Sequence, residues 1–240
     1  MRLFRESHLY GETILRQHFA NEYNELSSLL DTATIPLRPA GPFKAGGAPP
    51  KRQVKKVGGA KKRILLPADM KEFNKQLDKE LREKGWRGQP VASGSTAGTS
   101  KVRLRGDFEK NGVFVEVEFG NSASLFRDLF KFQVANREKR GEVGVLVTAT
   151  RQLMKFHDSG VTTYELIDGL RPYLALSIQM PIWIVGLEPE TWAEIQARYD
   201  EMYEVTTSNG EAAHPFSDIF GAEMAIEATT EETDLTILEK

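Results

Sequence analysis

A chain of 240 residues with 40% hydrophobic content has enough apolar side chain for one sizeable core plus an extension. It holds no cysteine, which excludes a disulfide framework, a thiolate nucleophile and cysteine-bound zinc, and no run of 18 apolar residues, which excludes a membrane-spanning helix. The net charge of −2 conceals an asymmetry: residues 188–240 carry 14 acids against 2 bases, and residues 1–187 carry 20 acids against 30 bases, a balance that favours a polyanionic partner.

In chain order, MRLFRESHLYGETIL is mixed polar and lacks the apolar core of a signal peptide, so a cytoplasmic protein is expected. Residues 12–31 place Ile14, Leu15, Phe19, Tyr23, Leu26, Leu29 and Leu30 at helical spacing. The chain then changes character over residues 34–62. The run PLRPAGPFKAGGAPPKRQVKKVGGAKKR is rich in Pro and Gly, holds nine bases and no acid, and reads as a basic flexible loop without packed structure. A mobile surface loop and a basic arm that orders on nucleic acid are both open readings. Residues 67–85 open with Pro and close with Gly around a helical stripe of Phe73, Leu77 and Leu81. GQPVASGSTAGTS is a connection.

Residues 101–108 alternate as a strand, Asn111-Gly112 signals a hairpin, and residues 113–119 form its second strand. Residues 122–139 read as a helix capped by Ser122 or Ser124, with Leu125, Phe126, Leu129, Phe130 and Val134 inward. A buried strand over 142–150, a loop within 152–163, a helix over 164–178, a buried strand over 181–187 and a helix over 189–204 follow. The order hairpin, α, β, α, β implies an α/β (α+β mixed) architecture, a central mixed β-sheet flanked by helices. Residues 1–188 then form the core and 189–240 a C-terminal helix and acidic tail. That tail is either solvated or repels non-specific DNA.

The hairpin spends three acids where aliphatic residues would pack. Residues two apart in a strand share a face, so Glu116 and Glu118 point the same way as Phe114, and Val113, Val115, Val117 and Phe119 point the other way. With a two-residue Asn111-Gly112 turn, Asp107 lies opposite Glu116. Opposed side chains have Cβ atoms about 5 Å apart, and like charges there repel. A hard cation resolves the conflict: Mg²⁺ takes oxygen ligands and is held by one or two carboxylates with water and substrate phosphate. Asp107 and Glu116 are the candidate ligands and the Val117 carbonyl a third. Glu118 is placed to orient or deprotonate an attacking water, or to hold a second ion. Such a site hydrolyses a phosphodiester by in-line attack. Acids on a half-exposed hairpin are also commonly just its wet face, and that reading stays open. The motifs of phosphate-binding loops, serine hydrolases and HExxH zinc enzymes are absent.

Asp107, eight intervening residues and then EVEFGN resemble the active site of type II restriction endonucleases of the BglII and BstYI group, on the PD-(D/E)XK nuclease fold. SLFRDLF, EVGVLVTA and PIWIVGL match the later segments of that group, and SHLYGETI, RILLP and ELREKGW the earlier ones, so the resemblance spans most of residues 5–188. It implies that Asp107 and Glu116 bind catalytic Mg²⁺, one or two ions per site. The third position departs from the pattern: the broad fold has Lys and the nearest group Gln, whereas this chain has Glu118, as in the E-x-E of the BamHI type. The base and the metal count therefore stay open. The resemblance further implies a homodimer cutting palindromic double-stranded DNA, GATC-containing, to leave 5′-phosphates. Two loops would read bases: Gly120, Asn121 and Ser122, then Lys155, His157, Asp158, Ser159 and Gly160. Arg103, Arg105, Arg127 and Lys131 are candidate phosphate contacts, although helix and strand surfaces carry such charges routinely. Two alternatives remain: a repair or junction nuclease of the same fold, and a non-catalytic DNA-binding protein on a nuclease scaffold.

Overall fold

The computed structural model describes residues 1–38, 53–57, 60–64, 68–92, 104–120, 122–154, 156, 163–190, 192–193 and 195–198. These fall into two compact units, one drawn from residues 1–34, 70–154 and 159–189, the other from 35–69, 155–158 and 190–240.

The first unit is built on a six-stranded mixed sheet. Its strands are β1 (Arg2–His8), β4 (Arg87–Gly88), β5 (Phe108–Lys110), β6 (Val113–Val117), β7 (Val143–Ala149) and β8 (Ile182–Glu188), in the order β1-β8-β7-β6-β5-β4. The centre, β6-β7-β8, is parallel; β1, β5 and β4 pair antiparallel. β7 and β8 are buried along their whole length, which explains their unbroken aliphatic runs: parallel strands covered on both faces have no wet side to alternate toward. The hairpin turn has the expected chemistry. Asn111 (φ 50°) and Gly112 (φ 88°) both take positive φ, the requirement of a two-residue turn that matches strand twist. Phe108↔Val115, Glu109↔Phe114 and Lys110↔Val113 then pair in the register that the two-residue turn imposes.

One face of the sheet packs on α4 (Ser122–Arg137) and α6 (Tyr164–Leu174), where Phe114, Leu146, Ile182 and Ile184 meet Leu125, Leu129, Phe132 and Ile167. The other face meets α1 (Gly11–His18), α2 (Ala20–Thr32) and α3 (Met70–Glu83); Tyr23 stacks at a tilt on Trp183 and Phe73 meets Phe119 edge-on. At Gly11 the α1 backbone rides so close over Ile182 that a Cβ would overlap the strand.

Several local expectations change. The helix expected over 12–31 is two, broken at Phe19 (φ −132°, ψ 46°), where no Pro or Gly announces it. Residues 2–8, read as merely polar, form edge strand β1; its charges are the usual guard on an exposed edge. The α4 helix is rotated from the expected orientation: Phe126 and Phe130 are exposed, while Phe132 and Ala135 turn inward.

In the second unit, part of the basic stretch is ordered, against expectation. Strands β2 (Gln53–Val57) and β3 (Ala60–Ile64) pair as an antiparallel ribbon. Leu37 bridges Ala68, the Ala68 amide donates to the Phe156 carbonyl (3.2 Å), and Phe156 stacks on Trp192. Residues 195–198 are helical; the rest of the helix expected over 189–204 lies mainly outside the described residues.

Candidate active site

The site grows from the hairpin. Asp107 immediately precedes β5, and its backbone is held by the Gln89 amide, which donates to the Asp107 carbonyl (2.8 Å). Carrying the hairpin register one step beyond Phe108↔Val115 sets Asp107 opposite Glu116. The Asp107 side chain then turns along the partner strand, where Oδ2 accepts the Val117 amide at 2.9 Å. Glu116, in mid-strand on the α4 face, is fully buried, and a Cβ at Gly106 would sit 3.0 Å from its Oε1. That oxygen has no hydrogen-bond partner among the described residues. The Asp107 charge acts on Glu116 across the pair and disfavours its ionisation.

The ring of groups closes from α4. Lys131 Nζ donates to Glu116 Oε2 (2.9 Å) and lies 2.7 Å from Asp128 Oδ1. These side chains are 9%, 1% and 3% exposed for Lys131, Glu116 and Asp128. Lys131 is therefore not the surface phosphate contact expected of it. A helix delivers one side chain in three or four to its packed face, and 128 and 131 stand on the same stripe as Leu125, Leu129, Phe132 and Ala135. Asp128 was not anticipated as a site residue. The signal that would have found it is a charge at a core position of the stripe.

Glu118, also buried, lies one residue past the end of β6. Its Oε1 accepts the Gly120 amide, its carboxyl can share a hydrogen bond with Asp128, and its carbonyl accepts Thr148 Oγ1 (2.8 Å). Arg127 reaches Asp128 at 3.7 Å from an exposed position. Arg105 is exposed near the hairpin, and Arg103 lies outside the described residues. So do Asn121, Lys155, His157, Asp158, Ser159 and Gly160; Ser122 opens α4 as its first residue.

Crowding acids in a dry site raises their pKa values. Burial and then the Asp107 charge push Glu116 up to about 9, against the opposing pull of Lys131. Burial also raises Asp107, although the Val117 amide and Lys131 draw it down. Glu118 is pushed up to about 7 by burial, with the Gly120 amide opposing and Asp128 adding to the rise. Burial disfavours the charged form of Lys131, but Glu116 and Asp128 outweigh it and the ammonium is held above its ordinary value. One ammonium among four acids leaves an excess of negative charge, which the site relieves by holding a proton or by taking a cation.

No group of three or more acids or histidines among the described residues forms a ready metal cage. The donor set nevertheless fits a hard divalent ion: two opposed carboxylates, one with a buried oxygen lacking a partner, suffice when water and phosphate complete the shell.

The chain matches the family model for the restriction endonuclease BglII/BglIII over residues 4–187. A search of curated proteins finds no match. Among solved structures, the chain is similar to restriction endonuclease BglII in complex with a DNA 16-mer, at 19% identity and TM-score 0.56, with 80% of each chain covered. It is also similar to free BglII, at 20% identity and TM-score 0.47, covering 80% of this chain and 81% of that one. The first likeness bears on the fold, and the family match spans most of the sheet, both helical layers and every candidate catalytic residue. The chain belongs to the type II restriction endonuclease family of BglII and BglIII, on the PD-(D/E)XK nuclease fold.

Proposed function

We propose that this protein is a Mg²⁺-dependent endonuclease acting in the cytoplasm as a homodimer on palindromic, GATC-containing double-stranded DNA, leaving 5′-phosphates. We assign residues 1–188 as its endonuclease core and 189–240 as an appended acidic segment, in line with the extent of the family match. The observation that carries this reading is the Asp107–Glu116 pair: a half-buried acid set against a fully buried one, with Glu116 Oε1 lacking a donor among the described residues.

Asp107 and Glu116 would hold the ion, with the Val117 carbonyl as a further ligand. An ion held by these residues would supply charge stabilisation at a scissile phosphate and a more acidic water. The Val117 amide fixes Asp107 Oδ2 and leaves Oδ1 for this purpose. Glu118 is the candidate base, since a carboxyl raised to about 7 both accepts and releases a proton near neutral pH. Its second role, as ligand to a further ion, remains part of the proposal. DNA as substrate is supported by the BglII complex with DNA. Base reading is assigned to Asn121, Ser122, Lys155, His157, Asp158, Ser159 and Gly160, on the resemblance to the family's two reading loops. The homodimer is supported by an apolar surface: Phe126 and Phe130 on α4 and Tyr173 on α6 flank a groove of about 460 Å³, all three exposed. Contiguous apolar surface of this kind marks an interaction face.

The test is digestion of a defined duplex with Mg²⁺, followed by sequencing of the ends. Discrete fragments carrying 5′-phosphates at one palindrome are expected. Asp107→Ala and Glu116→Ala should each lower the cleavage rate roughly a thousandfold or more while keeping site-specific binding, the loss of several kcal/mol of charge stabilisation. Cleavage confined to branches or ends, or site-specific binding without any cleavage in Mg²⁺ or Mn²⁺, would overturn the reading.

A further inference from the structure

The α4 helix contributes a buried acid and a buried base that neither the stability of the fold nor the metal-holding pair accounts for. Asp128 and Lys131 occupy the stripe of α4 that otherwise presents Leu125, Leu129, Phe132 and Ala135 to the sheet. Taking such charges out of water costs several kcal/mol per ion, and apolar residues of similar size at these positions would usually do as well or better. The Lys131 ammonium nevertheless stands between Glu116 (2.9 Å) and Asp128 (2.7 Å). Asp128 in turn is hydrogen-bonding neighbour to Glu118. One cation thus ties the helix to both acids, directly to Glu116 on β6 and through Asp128 to Glu118 just beyond it.

The contact to Glu116 is one-sided. Lys131 takes Oε2, and among the described residues Oε1 is left without a donor, toward Gly106. A flexible glutamate so anchored has one oxygen committed and one presented. Asp107 is arranged in the same way, with Oδ2 committed to the Val117 amide.

Resting on the nuclease reading above, we propose that Lys131 is a positioning residue of the active site: its ammonium clamps Glu116 by Oε2 so that Oε1 faces Asp107 and a divalent cation, and Asp128 holds that ammonium in place. The ammonium cannot substitute for the divalent ion, because it spends its contacts on the far oxygen. It also lowers the net negative charge of the site. Removing it should therefore leave attraction for a divalent ion intact or stronger, while the ligand loses its aim. A misplacement of about 1 Å can cost roughly a hundredfold in rate.

The experiment compares wild type, Lys131→Met, Asp128→Asn and Glu116→Ala as full-length proteins in three measurements: Mn²⁺ binding by calorimetry, thermal unfolding, and single-turnover cleavage of a cognate duplex at saturating Mn²⁺. Lys131→Met is expected to bind Mn²⁺ at least as tightly as wild type and to cut about a hundredfold more slowly, with unchanged affinity for DNA. Asp128→Asn, which keeps the shape and removes the anchor, is expected to cut about tenfold more slowly with Mn²⁺ binding retained. Cleavage by a folded Lys131→Met within threefold of wild type overturns the proposal, as does Mn²⁺ binding weakened in parallel with the rate. If Lys131→Met does not fold, Asp128→Asn decides: a wild-type rate overturns the proposal and a slowed rate with intact Mn²⁺ binding supports it. Should wild type itself fail to cut, the nuclease reading fails; should wild type cut, Glu116→Ala be dead and Lys131→Met be fully active, the clamp alone fails.

Discussion

Glu116 shows how much of this protein's behaviour turns on single groups. It is a carboxylic acid in a dry site, beside Asp107 and with one ammonium for relief, and its pKa stands at about 9 against an ordinary 4.5. The folded state therefore holds a proton that the unfolded chain releases. Stability from this source is complete below pH 4.5 and is lost progressively as pH rises toward 9, because across that window the native state binds more protons than the unfolded one. Metal-free protein should show a falling unfolding temperature over this range. Glu116→Gln, which cannot ionise, should flatten the fall, and saturating Mg²⁺ should do the same by displacing the proton. A wild-type unfolding temperature that rises across the same window would show that the acids are not crowded as described.

At the scale of elements, α4 serves two masters. Its inner stripe packs the sheet and delivers Asp128 and Lys131; its outer side carries Phe126 and Phe130, which face solvent beside Tyr173 of α6. An isolated subunit gains nothing from two exposed phenylalanines one turn apart. If the homodimer forms on this face, a two-fold axis presents each substitution twice. Phe130→Asp should then raise the dimer dissociation constant by at least about tenfold in sedimentation or light scattering, since two carboxylates would enter an apolar contact. Because position 130 is outside the buried site, metal binding by the monomer should persist. An unchanged assembly state would move the interface elsewhere.

For the whole molecule, charge sets how DNA is met. Residues 1–187 carry 30 bases against 20 acids, and residues 188–240 reverse the sign. Binding that neutralises phosphates releases counterions, and its affinity falls with salt in proportion to the contacts made. For about six phosphate contacts, affinity for cognate duplex should drop roughly a thousandfold between about 50 and 200 mM salt, a slope that titration at several salt concentrations would give directly. A flat salt response would mean that the basic surplus does not face the substrate.

The features legible from residue order are those whose structure is local. Asn111-Gly112 selects its turn, the turn selects the register, and the period of two puts Glu116 and Glu118 on the face of Phe114, so the acidic pair was legible before any fold was known. The family and the mixed sheet were legible too, because aliphatic strands of a doubly covered sheet and the D-x8-E-x-E spacing each carry their own signal. Tertiary structure alone decided the rest. Each helical residue advances about 100° around the axis, so a small change in how α4 seats on the sheet exchanges Phe126 and Phe130 for Phe132 and Ala135, and carries Asp128 and Lys131 inward. The pairing of β1 with β8 likewise joins residues about 180 positions apart, which no local pattern of residues contains.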